Sequence, residues 1–132
     1  MGEMGFIAPE LPEQYGGQGM GRLAAGVIHE AVAKSDLSFS YINLLASLNG
    51  QILAEHGDPE VVEPWLRKLT AGEALFSIGL TEPRGGSDAA SLRLKIERDG
   101  DEYVLNGEKT SISAADQADA SVIFGRTGTI ES

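Results

Sequence analysis

The chain contains no cysteine. That removes disulfides, zinc-thiolate sites and thiol nucleophiles together, and it fits a reducing compartment: the cytoplasm or, in a eukaryote, the mitochondrial matrix. Histidine is almost as scarce, with only His29 and His56, each alone on its own expected helix. With no H-E-x-x-H and no EF-hand loop either, no metal site is expected. Positive charge is short: 10 Lys and Arg stand against 20 Asp and Glu, a formal charge of −10. A nucleic acid would meet net repulsion where binding needs phosphate neutralisation, so none is expected as a partner. Any phosphate-bearing ligand must therefore be held by local donors. No uncharged apolar run reaches the length of a membrane span, and the first residues lack a signal-peptide pattern. A Walker A lysine is missing too. The glycines of Gly16-Gly17-Gln18-Gly19-Met20-Gly21 do not fit G-x-G-x-x-G and follow no strand, so a loop before a helix is expected there.

What is present is a globular composition, 42% hydrophobic and 23% charged over 132 residues. That length suits one ordinary domain or two incomplete pieces of a larger protein. The ending Thr127-Gly128-Thr129-Ile130-Glu131-Ser132, without a closing helix or polar tail, leads us to expect pieces.

Two hydrophobic periods divide the chain. The first part has the helical one. Leu23, Val27 and Ala31, with Ile28 and Val32 beside them, form the apolar side of a helix from Arg22 to Lys34, and Arg22, Glu30 and Lys34 form its polar side. A second helix is expected from about Phe39 to His56, with Ser38 as N-cap, an inward stripe of Leu44, Leu45, Leu48, Ile52 and Leu53, and Gly57 in the left-handed position after its end. Asp58-Pro59-Glu60 starts a third, which should bury Val62, Trp65, Leu66 and Leu69 and kink or restart at Pro64. After Gly72 the period becomes two. Ser91 to Arg98 alternates apolar and charged residues, Asp99-Gly100 turns, and Tyr103-Val104-Leu105 returns. Asn106-Gly107 turns again, Lys109 to Ser113 runs out, and Ser121 to Phe124 adds a strand. The expected fold is α+β: a helical domain over residues 1–73, then an antiparallel β-domain over 74–132, part of a sandwich or barrel, both incomplete.

The chemistry-bearing stretch is Leu80-Thr81-Glu82-Pro83-Arg84-Gly85-Gly86-Ser87-Asp88, directly after the apolar run Ala74 to Gly79. As a turn it needs only Pro83 to fix one φ and the glycines to permit positive ones. As a ligand cradle it offers glycine N–H groups unobstructed by a Cβ, and the Ser87 hydroxyl.

Together with Lys109-Thr110-Ser111-Ile112-Ser113, this stretch resembles the acyl-CoA dehydrogenase family of flavoenzymes. The middle β-domain of that family carries T-E-P-x-A-G-S-D and, about 25 residues on, K-x-W-I-T or K-x-W-I-S. The intervening Gly100-Asp101-Glu102-Tyr103-Val104-Leu105-Asn106-Gly107 is similar to the family's G-D-x-Y-x-x-N-G, and Ala118-Asp119 to its later A-D. Pro9-Glu10 with Tyr15-Gly16-Gly17-Gln18-Gly19 is similar to its P-E-x-Y-G-G-x-G loop. The matches run in order along nearly the whole chain.

The resemblance implies a helical domain, a middle β-domain and a C-terminal helical bundle that this chain lacks, with FAD between β-domain and bundle. It places the backbone of Ile78, Gly79 and Leu80 and the Thr81 hydroxyl against the flavin ring. Gly86 and Ser87 fall on the cofactor phosphates or the acyl-CoA, and Ser113 near flavin N5, with Ser111 and Ile112 in the same segment. Two positions depart from the pattern: Ser111 replaces a tryptophan that packs beside the flavin, and Ala114 stands where asparagine is common. The implied reaction is α,β-desaturation of an acyl-CoA in fatty acid metabolism, with electron-transfer flavoprotein or a similar acceptor and a homo-oligomeric enzyme, dimer or tetramer. The family's catalytic carboxylate comes from the bundle and maps onto no acid here. Glu82 is expected to order its turn rather than act as the base. The alternatives are an acyl-CoA oxidase or another flavin oxidase of this fold, and a non-catalytic module that binds CoA thioesters or proteins.

Overall fold

The computed structural model describes residues 1–128. Three helices, α1 (Arg22–Ser35), α2 (Leu37–His56) and α3 (Pro59–Ala71), precede four short strands, β1 (Phe76–Gly79), β2 (Lys95–Asp99), β3 (Glu102–Asn106) and β4 (Ala120–Ile123). This is the expected α+β class. Compactness divides the described residues into Met1–Phe76 with Gln117–Ala120, and Ser77–Asp116 with residues 121–128. Residues 129–132 of the expected β-domain lie outside the described residues. No helix among the described residues is long and apolar enough to cross a membrane.

In the helical unit the core gathers Ala8, Leu11, Tyr15, Ala46, Val62, Leu66, Leu69 and Phe76. Helix α3 follows its sequence signals closely. The Asp58 carboxylate accepts from the Glu60 N–H at 3.0 Å, and Pro59 occupies the first turn, where its missing N–H costs nothing. The helix continues through Pro64 as one element rather than restarting there. Of its expected inward face, Val62, Leu66 and Leu69 are buried, whereas Trp65 stays partly exposed, meeting Phe76 edge to face and the Lys68 ammonium.

Helix α2 departs further. Its N-cap is Asp36 rather than Ser38, because the Asp36 carboxylate accepts from both the Ser38 and Phe39 N–H groups, at 2.8 and 3.1 Å, and a charged acceptor holds the positive helix end better than a hydroxyl. Of the expected stripe Leu45 is buried, Leu53 packs against the core and Ile52 is half-buried, but the rest of the buried face is not leucine. Leu44 and Leu48 are exposed, while Ser40, Asn43, Ser47 and Gly50 face inward beside Leu45 and Ala46. Small and polar residues let the neighbours approach: a Cβ on Gly50 would stand 2.7 Å from a Leu11 methyl. Asn43 accepts from the Ala8 N–H at 3.2 Å and donates to the Phe6 carbonyl at 2.8 Å, tying the first loop to the helix. Gly57 is extended rather than left-handed, since Asp58 begins the next cap at once. In α1 only Ala25 is buried and Leu23 is 84% exposed, so the expected apolar side is not this unit's core. Helical period tells which residues share a face, not what that face meets.

In the strand-rich unit β2 and β3 form the expected antiparallel hairpin, Lys95 opposite Asn106 through Asp99 opposite Glu102. The succession of hairpins stops there, because β1 pairs with β4. Within this unit the Phe124 N–H donates to the Gly79 carbonyl at 3.0 Å, and the Ser77 and Ser121 hydroxyls share a hydrogen bond of 2.6 Å. The chain beyond β4 lies along the start of β2: the Arg126 N–H donates to the Leu94 carbonyl and the Ile96 N–H to the Arg126 carbonyl, both at 2.7 Å. Gly107 serves close approach, since a Cβ there would stand 2.7 Å from Leu94 Cα.

The clasp by Asn43 leads to a stability prediction. Asn43→Ala should destabilise the protein by about 2 kcal/mol in urea unfolding, because it leaves the buried Ala8 N–H and the Phe6 carbonyl without their partner. Leu23→Ala, on the exposed side of α1, should change it by less than about 0.5 kcal/mol. Equal effects of the two substitutions would refute this account of the helical core.

Candidate functional site

The end of β1 and the two motif segments meet at one carboxylate. Glu82 is buried, and both of its oxygens are engaged. Oε1 accepts from the Leu94 N–H at 2.9 Å and from the Lys109 ammonium at 2.8 Å, and Oε2 accepts from the Arg93 N–H at 2.7 Å. The side chains of Lys109 and Glu82 are 8% and 10% exposed, so this ion pair is largely screened from water. The hydrogen bond from Lys109 comes first among the causes that lower the Glu82 pKa from 4.5 to about 2. The Leu94 and Arg93 N–H groups and the charge of Lys109 act in the same direction, and burial opposes them.

This carboxylate explains why strand β2 starts late. The alternation predicts a strand from Ser91, but Ala89–Ser91 is a 3-10 turn and β2 begins only at Lys95. The Arg93 and Leu94 N–H groups point at Glu82 instead of a ladder partner. The Arg126 guanidinium donates to the Leu92 carbonyl at 2.7 Å and to the Ala90 carbonyl, which holds the same approach from its other side.

Lys109 also donates to the Leu80 carbonyl at 3.0 Å, and the Thr110 N–H donates to the Thr81 carbonyl at 3.0 Å. Segments about 29 residues apart in sequence are thereby joined side by side. The expected extended run from Lys109 to Ser113 does not form. Ser111 and Ala114 take left-handed φ values of 55° and 58°, which break extension and cost a non-glycine residue about 1–2 kcal/mol each.

The expected contact residues fall as follows. Ile78 and Gly79 lie on β1, followed by Leu80 and Thr81, all but Gly79 half-buried. Gly86 lies against Thr81, since a Cβ added there would be 3.2 Å from the Thr81 hydroxyl. Ser87, Ser111 and Ser113 are exposed and Ile112 half-buried. Hydrogen bonds bring the Leu80–Thr81 stretch together with Lys109–Thr110.

Of the two readings of Gly85-Gly86, the turn is the one that forms. Neither Gly85 nor Gly86 has positive φ. The Gly85 N–H donates to the Glu82 carbonyl at 3.0 Å, and the Glu82 N–H returns a bond of 3.1 Å to the Gly85 carbonyl, so this is a tight reciprocal turn. The Gly85 N–H is therefore spent on the turn, and Gly86 packs closely against Thr81. Sequence reasoning missed Lys109 as the partner of Glu82, although the lysine stood in the quoted segment. A lone lysine in a polar stretch carries no local sign that it is buried.

Two predictions follow from these geometries. The Glu82 pKa is lower folded than unfolded, so the stability it contributes is fully present above about pH 4.5 and is lost as pH falls toward about 2. Glu82→Gln should flatten the acid limb of the stability profile in that window and lower stability at neutral pH, measured by urea unfolding against pH. An unchanged acid limb would contradict the role given to this carboxylate. Ala114→Asn should raise stability by about 0.5 kcal/mol in the same measurement, since asparagine tolerates the left-handed region better than alanine; a loss would show that Ala114 is not strained.

Comparison with known proteins bears on the whole chain. Residues 1–73 match the family model "Acyl-CoA dehydrogenase, N-terminal domain" and residues 77–131 "Acyl-CoA dehydrogenase, middle domain". The chain is 36% identical over 126 residues to the mitochondrial isobutyryl-CoA dehydrogenase of Dictyostelium discoideum, covering 96% of this chain and 30% of that protein. To the glutaryl-CoA dehydrogenase of Desulfococcus multivorans it is 36% identical over 135 residues, covering 96% and 33%. Among solved structures, a glutaryl-coenzyme A dehydrogenase in complex with glutaryl-CoA superposes with a TM-score of 0.91 at 35% identity, over 97% of this chain and 33% of that one. A Mycobacterium smegmatis glutaryl-CoA dehydrogenase in complex with FADH2 gives 0.88 at 28% identity, over 95% and 32%. The chain thus spans about a third of the length of the relatives it matches.

Proposed function

Because the chain belongs to the acyl-CoA dehydrogenase family, we propose that it supplies one wall of a flavin site in an enzyme that desaturates an acyl-CoA between its α and β carbons. The carrying observation is the junction of two motif segments, Lys109 on the Leu80 carbonyl and Thr110 on the Thr81 carbonyl. On this reading residues 1–73 and 74–132 are incomplete parts of a helical and a β-domain.

The donors fit a flavin dinucleotide in kind. Ile78, Gly79, Leu80 and Thr81 present backbone and a hydroxyl to the ring. Gly86 leaves the Thr81 hydroxyl uncrowded, and Ser87 offers a neutral hydroxyl to phosphate or to the acyl-CoA. Ser111, Ile112 and Ser113 form the second contact segment. Neutral N–H and O–H donors hold phosphate locally even on a chain of charge −10. The acid at the centre does not oppose this, because Lys109 neutralises Glu82. A cavity of about 250 Å³ beside Glu82, lined by Pro83, Arg84, Arg93, Leu94, Gly107 and Glu108, is smaller than the roughly 300–1,000 Å³ of enclosed ligand sites. The opposite wall belongs to other elements of the protein.

When bound, the flavin accepts the hydride that leaves the β carbon. The protein must align it with a base that takes the α proton. Glu82 is not that base: with its pKa at about 2 and both oxygens occupied, it has little proton affinity at neutral pH. The base belongs to the part of the enzyme beyond this chain. The acceptor is electron-transfer flavoprotein or a similar carrier, the assembly a dimer or tetramer, and the location the cytoplasm or the mitochondrial matrix.

Ser111 in place of tryptophan favours a second reading, a non-catalytic module that binds CoA thioesters or proteins; a flavin oxidase of the same fold is the further alternative. Substrate-dependent bleaching separates catalysis from binding, and oxygen consumption separates oxidase from dehydrogenase. The primary test is purification of the whole product of the reading frame with added FAD. It should be yellow, with the two visible bands of bound oxidised flavin, and should bleach with an acyl-CoA. A colourless protein that cannot be reconstituted overturns the proposal.

A further inference from the structure

Building on the flavin reading, we infer that Glu82 and Lys109 are a positioning pair, a clamp that holds Ser111, Ile112 and Ser113 in the conformation that meets the cofactor. The two residues lie at the base of both contact segments. The Lys109 ammonium reaches Glu82 at 2.8 Å and the Leu80 carbonyl at 3.0 Å, so a single group ties the flavin-ring stretch to the segment that follows it.

That following segment needs a clamp. It holds two left-handed non-glycine residues within four positions, Ser111 and Ala114, and such conformations persist only where their surroundings enforce them. Regular structure does not, for residues 108–112 belong to no strand or helix. Its fixed end is Lys109 with Thr110, both bonded to carbonyls of the Leu80–Thr81 stretch. Glu82 in turn is fixed by the Arg93 and Leu94 N–H groups, so the lysine is aimed by a carboxylate that cannot rotate freely. Two backbone donors at the approach to β2 set the carboxylate, the carboxylate sets the ammonium, and the ammonium sets the strained contact segment. Neither side chain needs to touch the flavin.

The test uses the whole product of the reading frame, wild type and the variants Lys109→Met, Lys109→Arg and Glu82→Gln. Amide hydrogen exchange is followed by mass spectrometry, and FAD titration by absorption and fluorescence. In Lys109→Met and Glu82→Gln, exchange at Thr110 should accelerate at least tenfold while α2 and α3 keep their protection, which separates clamp loss from unfolding. FAD affinity should fall at least tenfold, and the visible bands of the residual bound flavin should lose their fine structure. Lys109→Arg should recover most of both, because it keeps the charge that faces Glu82. A wild type that FAD leaves unperturbed overturns the flavin reading and the inference with it. Variants that bind FAD with wild-type affinity and spectrum overturn the inference alone.

Discussion

The strand-rich unit is organised by one buried carboxylate with three donors. An unpaired carboxylate at that depth would be protonated or would bring water in with it. Glu82 stays ionised because one donor is a full positive charge and the other two are backbone N–H groups already fixed in space. Its position then dictates where β2 can begin, where Lys109 must lie and therefore where the segment after Lys109 starts. The Glu82 to Gly85 turn follows from the same anchoring: Pro83 fixes one φ as the chain reverses directly after the carboxylate, and the reciprocal bonds between Glu82 and Gly85 close the loop. Such an arrangement favours specificity of geometry over raw stability, since a buried ion pair rarely exceeds an apolar pair of similar volume in net energy.

The helical unit reaches its order differently. Asn43 supplies both an acceptor and a donor to the backbone of the first loop, and small residues on α2 let that loop and α1 approach. The apolar residues left outside this packing, Leu23, Val27, Leu44 and Leu48 among them, are more than isolated surface leucines usually explain. In the strand-rich unit the hydroxyl pair of Ser77 and Ser121 and the reach of Arg126 to the approach of β2 play the corresponding part. Polar groups in both units carry the precise placements, while apolar burial supplies the driving force.

The start and most of the inward face of the third helix were legible, because their signals are local: a capping carboxylate, a first-turn proline and an apolar period. The β2–β3 hairpin was legible for the same reason, with Gly100 supplying the turn. Most of the buried face of α2 was not. Ser40, Asn43, Ser47 and Gly50 recur at helical spacing, but polarity disguises them as a solvent face unless their backbone partners, 35 or more residues away for Asn43, are known. The late start of β2 was hidden likewise, since alternation from Ser91 to Arg98 gives no hint that two of its N–H groups are claimed by an acid eleven and twelve residues earlier.

By itself, the amino-acid sequence determined the class of the fold, the order of its helices and strands, and the two segments on which the candidate site is built. These depend on side-chain period, turn chemistry and caps, which act over a few residues. Only the tertiary structure decided that Gly85 closes a turn instead of cradling an anion. It alone joined Lys109 to Glu82, and it alone put Ser111 and Ala114 in left-handed conformations. Each of these depends on which distant group satisfies a given N–H, carbonyl or charge, and local sequence does not encode that assignment.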